Sequence, residues 1–126
     1  MVLQLLIADD NPDDARLIAF AMKRAGYAFD WQRVEDEPGF ARELPGADLV
    51  ICDYSMPKFS PARALEMIRT CGLATPLLLV SGSVSAETAN RLVALGAVGY
   101  LLKDHLDRLG LMVREMLLVH ASAAPR

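Results

Sequence analysis

Short apolar runs and amphipathic stretches alternate along the whole chain. Val2–Ala8 is apolar except at Gln4, the pattern of a strand covered on both faces. Asn11-Pro12 follows, an N-cap residue with proline at the first helical position. This predicts a helix to about Ala25, stopped by Gly26, with Leu17, Ala21 and Ala25, beside Ile18 and Met22, as its inward stripe. Phe29–Val34 reads as a second strand, in which Phe29, Trp31 and the stem of Arg33 alternate. Pro38–Leu44 reads as a short helix closed by Pro45-Gly46. Asp48–Cys52 is a third strand, apolar beyond its first residue. Ser60-Pro61 repeats the cap-and-proline signal and opens a helix to about Thr70, with Gly72 behind it. Pro76–Val80 is a fourth strand, and Ser85 caps a helix that reaches Leu95 and ends at Gly96. Val98–Leu102 is the fifth strand. A last helix is expected from Asp104 or His105 to about His120, leaving Ala121–Arg126 as a loose tail or the start of a linker.

Five strand–helix units in strict alternation predict an α/β fold, with a five-stranded parallel sheet and helices on both faces. The 126 residues suit one domain over 1–120, and 53% hydrophobic against 23% charged residues is ample for a core. A net charge of -3 without any basic run argues against a nucleic-acid surface. Cys52 and Cys71 are too few for a disulfide scaffold and have no zinc-ligand spacing. Cys52 sits in an apolar run and reads as a buried thiol, and the expected compartment is the reducing cytoplasm. The first eight residues lack a basic leader and run into Asp9-Asp10, so no signal peptide is expected. No run is long enough to span a bilayer.

Chemistry in an open parallel sheet gathers beyond the carboxyl ends of the strands. Four of the five predicted strands end in a polar residue: Asp9 and Asp10 after the first, Asp53 after the third, Ser81 after the fourth and Lys103 after the fifth. The second ends without one, which suits an edge strand. Packed carboxylates repel one another unless protonated or neutralised, and a hard cation such as Mg²⁺ prefers carboxylates, carbonyls and water. Lysine and serine add a positive charge and a hydroxyl donor, which together suit a phosphoryl group. Each residue alone has a plainer explanation: helix-start acids for Asp9-Asp10, a turn opening at Asp53, a loop serine, a solvated lysine. Four plain explanations holding together at corresponding strand ends is the weaker account.

The segments Ile7-Ala8-Asp9-Asp10, Cys52-Asp53-Tyr54-Ser55-Met56-Pro57, Leu79-Val80-Ser81-Gly82 and Gly99-Tyr100-Leu101-Leu102-Lys103 resemble the response-regulator receiver domains of two-component signalling, the chemotaxis-regulator type among them. The resemblance covers residues 2–118, and Gly96-Ala97 adds to it. It implies the flavodoxin-like strand order 2-1-3-4-5 and a cytoplasmic, phosphorylated signalling switch that catalyses only its own phosphorylation and dephosphorylation. It implies Asp53 as the phosphoacceptor, attacking a partner's phosphohistidine in line. Mg²⁺ would be held by Asp10, Asp53 and the Ser55 backbone carbonyl, with Asp9 acting through water. Lys103 would pair with Asp53 at rest and with the phosphoryl oxygens afterwards. Ser81 would bond the phosphoryl group, and Tyr100 would be the aromatic switch beside it, against the plainer reading of a half-buried strand tyrosine. Ser55 and Ser83 stand where the family tunes dephosphorylation. The expected partners are a sensor histidine kinase or a histidine phosphotransfer protein, with Phe20 as a contact. The surface of the fourth helix, fifth strand and fifth helix would be remodelled, with a homodimer through it as one outcome. No direct nucleic-acid or membrane contact is expected.

The chain departs from the family pattern in three places. Pro61 stands where a glycine is frequent, so the loop changes while Ser60-Pro61 starts a helix. Asp104 follows Lys103 where proline is usual, and Ser81 replaces the common threonine. The last helix carries more apolar residues than one stripe needs, which suits either a partner face or a thick core helix. The chain reads equally as a stand-alone regulator or as the amino-terminal part of a longer one. Three other functions compete. A metal-dependent phosphohydrolase of the haloacid-dehalogenase type needs Asp-x-Asp after the first strand and a substrate pocket. A flavin or nucleotide carrier needs a Ser/Thr/Gly-rich phosphate loop there. A receiver that only binds, without being phosphorylated, would not need the full set Asp9, Asp10, Asp53, Ser81 and Lys103.

Overall fold

The computed structural model describes residues 2–123. Strand β1 is Leu3–Ala8, β2 Phe29–Val34, β3 Leu49–Cys52, β4 Leu77–Ser81 and β5 Gly99–Leu102. All pairings are parallel, in the order β2-β1-β3-β4-β5. The helices are α1 Pro12–Arg24, α2 Glu37–Glu43, α3 Pro61–Thr70, α4 Ala86–Ala94 and α5 Leu109–Ala123. The doubly wound α/β architecture is therefore the one expected. Of the expected tail, Ala121–Ala123 belong to α5 and residues 124–126 lie outside the described residues.

Local chemistry sets the helix starts. The Asn11 side chain accepts N–H bonds from Asp13 (2.9 Å) and Asp14 (3.4 Å). Ser60 accepts from the Arg63 amide and Ser85 from the Thr88 amide. Asp36, an unforeseen cap, accepts from the Gly39 amide and moves the start of α2 to Glu37. Each such cap contributes about 1 kcal/mol. Gly96, past the end of α4, has φ +126°, a backbone that residues with a Cβ adopt only under strain.

Consecutive strand residues face opposite ways, so the central strands β1, β3 and β4 feed two cores. Leu5, Ile7, Ile51, Leu78 and Val80 pack with α1 and α5, through Ile18, Met22, Leu109, Val113 and Met116. Leu6, Ala8, Val50, Cys52 and Leu79 pack on the other face with Phe40, Phe59, Leu65, Ile68 and Leu92. The rings of Phe40 and Phe59 lie 4.9 Å apart.

Two expectations need correction. The buried stripe of α1 is Ala15, Ile18, Ala19 and Met22, while Leu17 is 55% exposed, Ala25 is exposed and Ala21 only half-buried. Sequence spacing alone put Leu17 inward, but α1 lies on the sheet through the row one residue further along. The last helix also does not start at Asp104 or His105. Lys103–Arg108 form a 3-10 segment with a kink at His105 (φ -120°, ψ 36°), and α5 proper begins at Leu109. The kink lets Lys103 stay at the sheet edge while Leu109, Val113 and Met116 fall into the core.

Helices α1 and α5 meet at a close crossing. A Cβ on Gly110 would stand 2.5 Å from the Ala25 Cβ, nearer than two carbons can approach. The Tyr27 hydroxyl donates to the Gly110 carbonyl (2.9 Å) and ties the same spot to the start of β2. Gly110→Ala should therefore lower stability by about 1–3 kcal/mol in urea unfolding, the usual cost of overpacking. Adding Ala25→Gly should restore most of it. A Gly110→Ala protein as stable as the parent would show that α5 can shift freely here.

Candidate functional site

The parallel register brings four strand ends to one edge of the sheet. Ala8 pairs with Cys52 and Ser81 with Leu102, and the Asp53 amide donates to the Ala8 carbonyl at 2.8 Å. The residues that follow, Asp9 and Asp10 after β1, Asp53 after β3 and Lys103 after β5, must then share one pocket, with Ser81 closing β4. Asp9, Asp53 and Ser81 are the buried polar residues of the described chain. Asp10 is exposed at the rim.

One carboxylate oxygen from each of Asp9, Asp10 and Asp53 lies within 4.8 Å of the others. Asp9 Oδ1 accepts the Asn11 amide N–H (2.9 Å) and Asp53 Oδ1 accepts the Tyr54 amide N–H (2.9 Å). The Arg33 guanidinium donates to the Asp9 carbonyl (3.1 Å) and pairs with Glu35, closing the β2 side. Lys103 Nζ reaches Asp9 Oδ2 at 2.8 Å and Asp53 Oδ2 at 3.6 Å. Ser81 donates a long hydrogen bond to the Ser83 carbonyl (3.4 Å). Ser55 and Ser83 are exposed on the surrounding loops, and Tyr100 lies beyond Ser81 on β5 with 41% exposure.

The structure adds a residue that the sequence reading did not include. Lys103 Nζ also lies 2.8 Å from Asp14 Oδ2 and donates a hydrogen bond to it. The resting partner expected for Lys103 was Asp53, yet Asp9 and Asp14 are both nearer. The signal was present in the Asp13-Asp14 pair of the first helical turn, where helix-start acids are ordinary. Only tertiary packing distinguishes Asp14, which faces the pocket, from Asp13, which pairs outward with Arg16.

The electrostatics follow from burial. Desolvation pushes the Asp9 carboxyl above the usual carboxylate range; the Lys103 contact and the Asn11 amide oppose this, and Asp53 adds to it. Burial pulls the Lys103 ammonium down, but Asp14 and Asp9 outweigh it and its pKa is raised. Burial, with Asp53 and Asp9 behind it, drives the Cys52 thiol up, so Cys52 is an inert core residue. Asp9 Oδ2 touches Lys103 outside hydrogen-bond geometry and is the one buried side-chain oxygen among the described residues without a hydrogen bond. An unsatisfied buried oxygen inside a three-carboxylate cluster fits a hard divalent cation.

Fold and site together define a doubly wound α/β domain with an acidic, cation-ready pocket at the carboxyl edge of its sheet. A family model for the response regulator receiver domain matches residues 5–114, and the chain belongs to that family. Receiver domains are signalling switches. The chain is 28% identical over 126 residues to the transcriptional regulatory protein DltR of Streptococcus agalactiae, covering 95% of this chain and 56% of that protein. It is 25% identical over 108 residues to the cell cycle transcriptional regulator CtrA of Caulobacter vibrioides, covering 85% and 47%. The chain thus spans about half the length of these relatives. It is 29% identical to the chemotaxis protein CheY of Treponema pallidum, covering 83% and 74%. The receiver domain of the Francisella response regulator 1452 shares the fold, with a TM-score of 0.77 at 23% identity over 91% of this chain and 96% of that one. No helix among the described residues is long and apolar enough to cross a membrane.

A pH dependence follows. An acid whose proton is held more tightly in the folded state loses its stabilising effect as pH rises from its unfolded value, 3.8, through the raised folded value. At neutral pH without divalent cations, ionised Asp9 is therefore a cost. Asp9→Asn should raise the melting temperature in chelator at pH 7 by roughly 3 °C or more, the effect of ~1 kcal/mol in a domain of this size. The gain should shrink as pH falls toward 4. An unchanged or lower melting temperature at pH 7 would show that Lys103 neutralises Asp9 completely.

Proposed function

We propose that the chain is a phosphoryl-accepting switch whose acceptor is Asp53, loaded from a histidine kinase or a histidine phosphotransfer protein. The observation that carries this reading is the convergence of the Asp9, Asp10 and Asp53 carboxylates with the Lys103 ammonium in one buried-to-rim pocket. Asp53 supplies the nucleophile. A carboxylate oxygen forms the new bond to phosphorus as the bond to the partner's imidazole nitrogen breaks, and the imidazole leaves with that electron pair. The Tyr54 amide orients Asp53 through Oδ1, and Lys103 stands close enough to shift onto a phosphoryl oxygen.

Asp10 and Asp53, with the Ser55 carbonyl, are the residues that would hold Mg²⁺, with Asp9 behind them. A cation held by these residues would supply charge neutralisation for the clustered carboxylates and for a phosphoryl group on Asp53. Ser81, hydrogen-bonded only weakly to Ser83 at rest, turns its hydroxyl to the phosphoryl group. Tyr100, half out in solvent, then packs inward, and the surface of α4, β5 and α5 changes. Leu111, Leu118 and Val119 on α5 are exposed, so that face offers apolar area for a partner or a second copy. Ser55 and Ser83 leave the pocket mouth open to water, favouring self-dephosphorylation. A groove of about 360 Å³ between α1 and the start of α5 is lined by Leu17, Phe20, Arg24, Leu106 and Asp107 and supports docking of the donor beside Phe20.

The test is intact-mass spectrometry after incubation with acetyl phosphate. Wild type should gain one phosphoryl group with Mg²⁺ and none in chelator, and Asp53→Asn should gain none. Failure of wild type to load, with beryllofluoride also failing to bind, would leave the chain a binding module. Continuous release of phosphate from a simple phosphomonoester would instead indicate a phosphohydrolase.

A further inference from the structure

We infer that Asp14 is a positioning residue for Lys103, holding the ammonium away from Asp53 at rest and so slowing the loading of that acceptor. The inference rests on the phosphoacceptor reading above.

Three carboxylates lie within ion-pair distance of Lys103 Nζ: Asp9 and Asp14 at 2.8 Å each, and Asp53 at 3.6 Å. The contacts differ in kind. Lys103 donates a hydrogen bond to Asp14 Oδ2, whereas its approaches to Asp9 and Asp53 lack that geometry. A charge-assisted hydrogen bond is among the strong ones, and the one to Asp14 Oδ2 draws the ammonium toward α1, on the side away from Asp53. Asp14 in turn sits on a rigid element. The Asn11 cap binds its backbone N–H, and Ala15 and Ile18 seat α1 in the core. The Lys103 side chain is only 15% exposed and that of Asp14 31%, so the pair is partly shielded from solvent screening.

The neighbouring aspartate separates this role from helix-start electrostatics. Asp13 carries the same charge in the same helical turn but turns to solvent and pairs with Arg16 at 2.9 Å. A favourable interaction with the helix dipole would be common to both, while the bond to Lys103 belongs to Asp14. To stabilise a phosphoryl group on Asp53, the ammonium must turn from Asp14 toward the new oxygens. An interaction stronger before the reaction than in its transition state raises the barrier. Asp14 therefore restrains the switch while it is unphosphorylated.

The experiment uses the full chain with phosphoramidate as donor and saturating Mg²⁺, following loading by intact mass in wild type, Asp14→Asn, Asp14→Glu and Asp13→Asn. Asp14→Asn should load on the order of fivefold faster than wild type, Asp14→Glu should return toward the wild-type rate, and Asp13→Asn should match wild type. A second readout is the ¹³C resonance of Lys103 Cε in the metal-free protein, assigned by its loss in Lys103→Arg. It should move in Asp14→Asn and stay in Asp13→Asn. Equal loading rates in Asp14→Asn and Asp13→Asn, or an unmoved Cε resonance in Asp14→Asn, would overturn the inference while wild-type loading upholds the phosphoacceptor reading. Wild type that never loads would overturn that reading and the restraint on loading with it, and the Cε resonance would still decide whether Asp14 positions Lys103.

Discussion

The molecule is organised around like charges held close together at the carboxyl edge of the sheet. A parallel sheet points all its strand ends the same way, so acids placed after β1 and β3 have to meet. Asp9 and Asp53 are both buried. Taking two carboxylates out of water is costly unless a cation faces them. Lys103 supplies that charge from the end of β5, with Asp14 as its hydrogen-bonded partner. The pocket stays one oxygen short of satisfaction, at Asp9 Oδ2. That combination, the Lys103 ammonium and an excess of carboxylates, is what suits the site to a hard cation and underlies the proposed phosphoryl chemistry.

The elements around the pocket hold it in place, while other surfaces stay exposed. The strands β1, β3 and β4 are buried on both faces and form the centre of both cores. Helix caps at Asn11, Ser60 and Ser85 start helices near the site edge. The Gly110–Ala25 crossing and the Tyr27 bond lock α1 against α5, and Lys103 and Asp14 approach from those same two regions. By contrast Tyr100, Leu111 and Leu118 are exposed. Stability is thus concentrated under the site, and these exposed side chains carry little of it.

Several features could be read in the chain before its fold was known. Cap-and-proline pairs, glycines past helix ends and short apolar runs specify local conformation through neighbouring residues alone, so strand and helix positions were legible to within a few residues. The alternation of units then dictates a parallel sheet, and with it the meeting of Asp9, Asp10, Asp53, Ser81 and Lys103. Pro61 in place of glycine and Asp104 after Lys103 did not disturb that meeting, because Ser60 caps α3 and the peptide bonds of the described residues are all trans.

Tertiary packing decided the remainder. Which row of α1 turns inward depends on how the helix settles on the sheet, so Leu17 went outward although its spacing matched the stripe. The kink at His105 arises because Lys103 must reach the pocket while Leu109 must reach the core, two demands from opposite sides of the fold. Asp13 and Asp14 are chemically identical in the sequence, and only the position of Lys103, 89 residues away along the chain, makes one a partner in the site and the other a surface charge. Local periodicity and strand-end chemistry determine which residues gather, since both act over a few residues. Distances and partners come from long-range contacts, which no local pattern encodes.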